Sequence, residues 1–147
     1  MKPNNLTANG WTAQMPDGWE DRSLITLIGE TDAGGFASNI VVTRQTVEPQ
    51  ATIEEFARAQ AEMMRQELAS SGSALQILDE RAIQIGNTSS YQRLQKFTLE
   101  NGQIIQQVQT FFLGANMIYA VTGTATLEGF DRAIPAFKKF VETFRLS

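Results

Sequence analysis

The side chains that could perform acid–base chemistry in this sequence are its carboxylates, because the 147 residues include neither histidine nor cysteine. Without those two residue types the chain cannot build a Ser-His-Asp triad, a Cys-His pair or the usual zinc sites. Several of the 16 acidic residues are adjacent, as at Glu54-Glu55 and Asp79-Glu80. Paired carboxylates can hydrolyse a glycosidic bond only when both face one cleft.

Neither carboxylate pair has the placement that such catalysis needs. The first pair opens a predicted helix, where acidic side chains interact favourably with the helix dipole. The second pair lies within a predicted strand, so its two side chains point to opposite faces. The sequence therefore predicts no catalytic residue, no metal site and no cofactor, and it favours a binding protein. An enzyme that uses its carboxylates or Tyr91 and Tyr119 is the alternative.

Amide side chains form the second chemically capable group. Four glutamines lie between positions 103 and 109 of one predicted strand, and alternation places Gln107 and Gln109 on the same face. Gln60 lies on the apolar stripe of a predicted helix, in line with Met64 and Leu68. Because an amide both donates and accepts hydrogen bonds, such residues could bind polar groups of a partner helix. The alternative is that the strand glutamines face solvent.

Composition and charge narrow the class of protein. The hydrophobic fraction of 42% and the charged fraction of 19% are typical of one globular domain, residues 1–147. A net charge of -4 argues against a surface for nucleic acid or anionic lipid. The apolar runs are far shorter than the roughly 18 residues of a membrane span. The N-terminal sequence MKPNNLTANGW lacks an apolar signal region, so we expect a cytosolic protein.

Two helices are predicted from apolar spacing and end signals. Thr52 and Glu55 form a capping-box pattern, and Gly72 follows the last apolar position, which predicts a helix over 52–71. A second helix is predicted over 127–144 from phenylalanines and aliphatic residues at helical spacing. Pro135 either kinks this helix or begins its main part after a short first turn.

Strands fill most of the remaining chain. They are predicted at Ser23–Glu30, Ser38–Gln45, Leu75–Ile85, Ser89–Leu99, Gln103–Leu113 and Met117–Thr124, with a weaker candidate at Gly10–Met15. Tight turns such as Asn101-Gly102 make consecutive strands antiparallel. The predicted fold is therefore α+β, an antiparallel sheet of about six to seven strands flanked by two main helices.

The first predicted hairpin has two unlike faces. One is uniformly apolar and is expected in the core: Ile25, Leu27, Ile40 and Val42. The other mixes apolar and hydroxyl side chains and suits a groove: Leu24, Thr26, Ile28, Val41 and Thr43.

Pro16–Ser23 reads PDGWEDRS, a P-x-G-W-x-D-x-S pattern. This pattern is similar to the opening of the DcrB-related family, which includes the Eag (effector-associated) chaperones of type VI secretion. The similarity continues through 39–44, the helix 56–68, the Gln107-x-Gln109-x-Phe111-x-Leu113 segment, 120–125 and 129–145, so it spans nearly the whole chain.

The resemblance implies a PsbP-like fold and a homodimer, with one sheet layer left open or used at the dimer contact. It also implies a cytosolic chaperone that shelters the apolar N-terminal transmembrane helices of a type VI effector before export. Carried onto this chain, the partner-binding residues are Leu24, Thr26, Val41, Gln60, Met64, Leu68, Gln107 and Gln109. Two alternatives stay open: a small-molecule or lipid-binding DcrB-like module of the cell envelope, and a non-catalytic interaction subunit.

Overall fold

An antiparallel sheet is the centre of the computed structural model, which describes residues 5–8, 10–22 and 24–146. In chain order the elements are β1 (Asn5–Ala8), β2 (Trp11–Gln14), β3 (Ile25–Thr31), β4 (Ala37–Thr46), α1 (Ile53–Ser70), β5 (Gln76–Ile85), β6 (Thr88–Thr98), β7 (Ile104–Leu113), β8 (Met117–Thr126) and α2 (Phe130–Thr143). Six strands pair in the order β3-β4-β8-β7-β6-β5, and β1 pairs with β2 separately. The predicted α+β fold with an antiparallel sheet and two flanking helices is confirmed.

Element boundaries follow local signals closely. The strands of the main sheet lie within two residues of their predicted ends. The predicted first residue of β3, Ser23, lies outside the described residues. The predicted segment Gly10–Met15 forms β2, whereas its partner β1 had no signal in the sequence analysis.

Both ends of α1 are capped by hydrogen bonds that its sequence predicts. The Thr52 hydroxyl accepts the Glu55 backbone N–H at 3.1 Å, which satisfies one of the free donors of the first turn. At the other end the N–H groups of Gly72 and Ser73 donate to the carbonyls of Ala69 and Leu68. Gly72 makes this arrangement possible because its φ of 79° is unfavourable for residues with a Cβ.

The second helix contradicts one of the two sequence interpretations of Pro135. It begins at Phe130, five residues before the proline, and continues to Thr143. The interpretation that the main helix starts at Pro135 is therefore wrong. Proline lacks an N–H and removes one hydrogen bond of the helix ladder. Burial of the apolar side of the helix, including Phe137 and Val141, favours helix on both sides of that gap.

The two helices pack on opposite faces of the sheet. On one face Ile53 and Ala57 of α1 pack against Phe111 of β7. On the other face Phe130 and Phe137 of α2 pack with Val108 of β7. Alternation along β7 explains this division, because odd- and even-numbered positions of one strand point to opposite faces. The core therefore has two layers, separated by β7 and β8.

Close approach of α2 to the sheet depends on a glycine in β8. A Cβ built at Gly123 would lie 2.6 Å from a ring carbon of Phe137, well inside van der Waals contact. The absence of a side chain at this position lets the phenylalanine ring lie directly on the strand backbone.

The outermost strand β3 corrects one prediction about the core. Ile25 and Leu27, expected to be buried, are 60% and 45% exposed. Their partners in β4, Val42 and Ile40, do pack against α2 side chains and are partly buried. The prediction was wrong for β3 because α2 covers β4, β7 and β8 but does not reach the edge strand.

Candidate functional site

Cross-strand pairing aligns the predicted partner-binding residues in a row across the sheet. Thr26 pairs with Val41, and Val41 pairs with Thr122. The row continues from Thr122 to Gln109 and from Gln109 to Arg93. Residues opposite each other in an antiparallel pair point to the same face, so these five side chains share the α1 face of the sheet.

A second row runs parallel to the first. It consists of Ile28, Asn39, Thr124, Gln107 and Gln95, from β3 to β6. Both rows have aliphatic or hydroxyl side chains on β3 and β8, and amides or a guanidinium on β7 and β6. On β4 the first row has Val41 and the second has Asn39.

Helix α1 covers the amide end of both rows. The Arg93 guanidinium donates from Nη1 to the Ala57 carbonyl at 2.6 Å and from Nη2 to Gln60 Oε1 at 3.5 Å. Gln95 Nε2 lies 3.4 Å from Met64 Sδ. The helix therefore supplies Gln60 and Met64 to the same surface as the strand amides.

Arg93 is the centre of this polar network and is only 1% exposed. Its Nη2 donates to Gln109 Oε1 at 2.8 Å, and its Nε donates to Gln95 Oε1 at 3.0 Å. The guanidinium carbon lies 5.4 Å from the centroid of the Phe111 ring, a cation–π geometry. Burial lowers the pKa of Arg93, while the negative charge of Glu80, its cross-strand neighbour, acts in the opposite direction.

Glu80 also connects the network to Tyr91. The Tyr91 hydroxyl donates to the Glu80 carboxylate. Burial of the phenol, together with this hydrogen bond, raises the pKa of Tyr91 to about 12. Tyr91 is therefore a neutral hydrogen-bond donor at physiological pH.

The other end of the rows is uncovered. We call it the open face and define it as Leu24, Thr26, Ile28, Asn39, Val41, Thr43 and Thr122. Leu24 and Ile28 are 58% and 67% exposed, and Val41 is half-buried. Since α1 packs mainly on β6 and β7, the helix forms a wall along one side of the open face. The result is a surface of mixed aliphatic and polar side chains on a sheet edge, bordered by an amide-rich wall.

The structure brings most of the predicted residues together. Gln60, Met64, Gln107 and Gln109 lie within one hydrogen-bonded cluster, and Leu24, Thr26 and Val41 lie on the adjacent open face. Leu68 is half-buried at the C-terminal end of α1.

The strand amides of the site do not face solvent, the alternative considered from the sequence. Gln109 is 6% exposed, and both strand amides bond inside the sheet face. Sequence reasoning missed Arg93 and Gln95. Their signal was their alternation with Tyr91 and Phe97, which places all four on one face of β6.

A second concave region lies on the α2 face, between the β3–β4 hairpin and α2. This cleft has a volume of about 420 Å³, with Phe36 and Phe137 among its apolar walls and Arg132 among its polar lining residues. Asp32 holds the hairpin tip, because its carboxylate accepts the Thr126 hydroxyl at 2.6 Å and the backbone N–H groups of Gly34 and Phe36. The Thr126 hydroxyl, followed by the Phe36 N–H, lowers the pKa of Asp32.

Metal-ligand clusters and membrane-spanning helices are both absent from the described part of the chain. Within residues 5–8, 10–22 and 24–146, no group of three or more acidic side chains is placed to hold a metal ion. None of the helices in this part of the chain has both the length and the apolar character for crossing a bilayer.

The fold and the site define an α+β protein whose antiparallel sheet carries one helix-bordered, partly uncovered face. The sequence profile of the DcrB family matches residues 12–143, so the chain belongs to the DcrB family. Among curated protein sequences, none matches the chain.

Solved structures share the fold at low sequence identity. A Pseudomonas aeruginosa protein described as PA94, of unknown function and a putative regulator, has a TM-score of 0.82 at 16% identity, covering 99% of this chain and 97% of that one. Cyanobacterial PsbP (CyanoP) from Synechocystis sp. PCC 6803 has a TM-score of 0.61 at 10% identity, covering 99% and 92%. LpqN of Mycobacterium tuberculosis, involved in cell envelope biogenesis, has a TM-score of 0.54 at 11% identity, covering 86% and 85%. The expected PsbP-like fold is confirmed.

Proposed function

We propose that this protein is a non-catalytic chaperone that shelters an apolar helical segment of another protein on its open face. From the family resemblance, the guest is the N-terminal transmembrane region of a type VI secretion effector, held in the cytosol before export. We further propose that the chaperone acts as a homodimer.

The observation that carries the proposal is the exposure of large aliphatic side chains beside a polar network. Leu24 and Ile28 expose more than half of their surface on the edge of the sheet. Removing apolar surface from water contributes roughly 25 cal/mol per Å², so a guest helix of about 20 apolar residues gains from covering this face. Contiguous exposed apolar surface on a folded protein typically marks an interaction site.

The position of β3 at the edge of the sheet also supports the binding of a guest helix. Edge strands are usually protected by charges, and β5, at the other edge of the sheet, carries Asp79, Glu80 and Arg81. By contrast, the segment Leu24–Gly29 contains no charged side chain, and Glu30 is the one charged residue of β3. An unprotected apolar edge is suited to being covered by a partner.

The proposal is tested by capture of a synthetic 20-residue Leu/Ala helix that carries lysines at its ends and a fluorophore. We expect the protein to bind this peptide and Leu24→Asp to weaken binding about tenfold or more, because the peptide would bury a carboxylate instead of an aliphatic side chain. Leu78→Asp is the matched control, since Leu78 is 40% exposed on β5 at the opposite edge. Absence of binding, or equal weakening by both substitutions, would refute the proposed function.

The cleft on the α2 face favours a second candidate function, binding of a small molecule or lipid. Its volume of about 420 Å³ falls in the range of small-molecule sites. A fluorescent fatty acid that binds the protein, and is excluded by Ala133→Phe but not by Leu24→Asp, would favour this candidate. Ala133 lines the cleft, so a phenyl group at that position would fill it.

A further inference from the structure

Arg93 fixes which group donates and which accepts in the hydrogen bonds around it. The same order of donor and acceptor continues along the row to the open face. Arginine has five N–H donors and no acceptor. The Gln109 oxygen must therefore be the atom facing Arg93 Nη2, at 2.8 Å. The orientation of this amide follows from the chemistry of its partner.

The orientation of the Gln109 amide also fixes the donor in the next hydrogen bond of the row. With Gln109 Oε1 turned to Arg93, its Nε2 faces Thr122 and donates to Oγ1 at 3.4 Å. The Thr122 oxygen is an acceptor in this contact, so its own hydrogen points elsewhere. On the other side of Thr122 in the row is Val41, whose side chain offers no acceptor.

The parallel row has the same direction. Arg93 Nε donates to Gln95 Oε1 at 3.0 Å, so Gln95 Nε2 donates onward to Gln107 Oε1 at 2.8 Å. Gln107 Nε2 then donates to Thr124 Oγ1 at 3.1 Å. Thr124 is 8% exposed, whereas Thr122 is half-buried and borders the open face. Of the two threonines that end these rows of hydrogen bonds, Thr122 is therefore the one whose hydroxyl can reach a bound partner.

We propose that Thr122 presents a hydrogen-bond donor to the open face and that the protein thereby selects guest helices carrying an acceptor oxygen opposite it. Hydroxyl, ether and amide carbonyl oxygens of a guest side chain have the required chemistry, whereas a purely aliphatic guest leaves the hydroxyl without a partner. This inference rests on the proposed function, because it assumes that a helix covers the open face. Arg93 is a positioning residue in this scheme, since it acts through Gln109.

The test compares two isosteric side chains in the Leu/Ala peptide described above. O-methylserine carries an ether oxygen that only accepts, and norvaline replaces that oxygen with a methylene. Each is placed in turn at four consecutive central positions, so that one of them faces the sheet for any rotation of the helix. We expect the unsubstituted protein to bind one O-methylserine peptide about twofold to tenfold more tightly than its norvaline counterpart, the range of one hydrogen bond.

Two variants assign the preference to Thr122. Thr122→Val removes the hydroxyl at nearly constant shape, and we expect the affinity ratio between the two peptides to fall to about one while norvaline peptide binding is retained. Thr122→Ser keeps the hydroxyl, and we expect it to keep the ratio.

The possible results show whether the donor role of Thr122, the proposed chaperone function or both are refuted. Peptides that bind with equal affinity at all four positions refute the donor assignment and leave the chaperone function standing. A preference that persists in Thr122→Val refutes the role of Thr122. If neither peptide binds the unsubstituted protein, both proposals fail. The comparison of the two peptides uses only the unsubstituted protein. It therefore tests for a hydrogen-bond donor on the open face even if Thr122→Val does not fold.

Discussion

Replacing Arg93 with methionine is the most informative perturbation of this protein. Methionine keeps a long, flexible side chain of comparable reach but has no donor. The substitution removes three well-formed hydrogen bonds, to the oxygens of Ala57, Gln95 and Gln109, and the contact with the Phe111 ring.

The expected loss of folding stability depends on the buried oxygens that are left without a donor after the substitution. Each buried acceptor left without a donor costs about 1–3 kcal/mol, and loss of the cation–π contact adds about 0.5–2 kcal/mol. The amides of Gln95 and Gln109 can turn and water can enter, so the costs do not add fully. We expect Arg93→Met to lower the free energy of unfolding by about 3–5 kcal/mol, which is less than the full sum of these separate costs. For a domain of this size that corresponds to a decrease in Tm of roughly 6–20 °C.

Urea unfolding followed by circular dichroism measures this change. Arg81→Met is the matched control, because the Arg81 side chain is 68% exposed and forms a surface ion pair with Asp79 at 2.9 Å. Such a pair contributes about 1 kcal/mol or less, so the control should unfold at nearly the urea concentration of the unsubstituted protein.

One result would refute the energetic reasoning. Buried charged groups can sometimes be replaced by apolar ones without loss, because desolvation offsets their attraction. If Arg93→Met proved as stable as the unsubstituted protein, the network would contribute nothing net to folding. Its role would then be confined to orienting the amides.

Two further predictions concern the α2 face. Gly123→Ala should lower the free energy of unfolding by about 1–3 kcal/mol, since its Cβ would overlap the Phe137 ring; in urea titrations Phe137→Leu should relieve part of this cost, and additive losses would contradict the explanation. Thr126→Val should raise the pKa of Asp32 towards its ordinary value, as followed by carbon NMR of its carboxyl group. Because the folded-state pKa of Asp32 is depressed, the stability it contributes is present above the unfolded-state pKa and is lost as pH falls through the folded-state pKa. An unchanged titration in Thr126→Val would show that the hydroxyl is not the main cause.

Local sequence signals predicted the two helices, the strands of the main sheet and the antiparallel pairing of strands that follow each other across a tight turn. The capping residue Thr52 and the terminal Gly72 define α1 because caps act on backbone groups a few residues away. Tight turns between consecutive strands make β3–β4, β5–β6, β6–β7 and β7–β8 antiparallel for the same reason. Alternation likewise assigned Gln107 and Gln109 to one face of β7.

The tertiary structure alone decided which part of that face is covered. Pairing of β4 with β8 joins segments more than seventy residues apart, and it leaves β3 at one edge and β5 at the other. That order determines that α1 covers β6 and β7, that Arg93 is buried against Gln109, and that Ile25 and Leu27 are exposed despite their apolar pattern. The physical reason is that alternation specifies only the side of a strand on which a residue lies. Burial depends on the helix placed over it, and that placement follows from contacts distant in sequence.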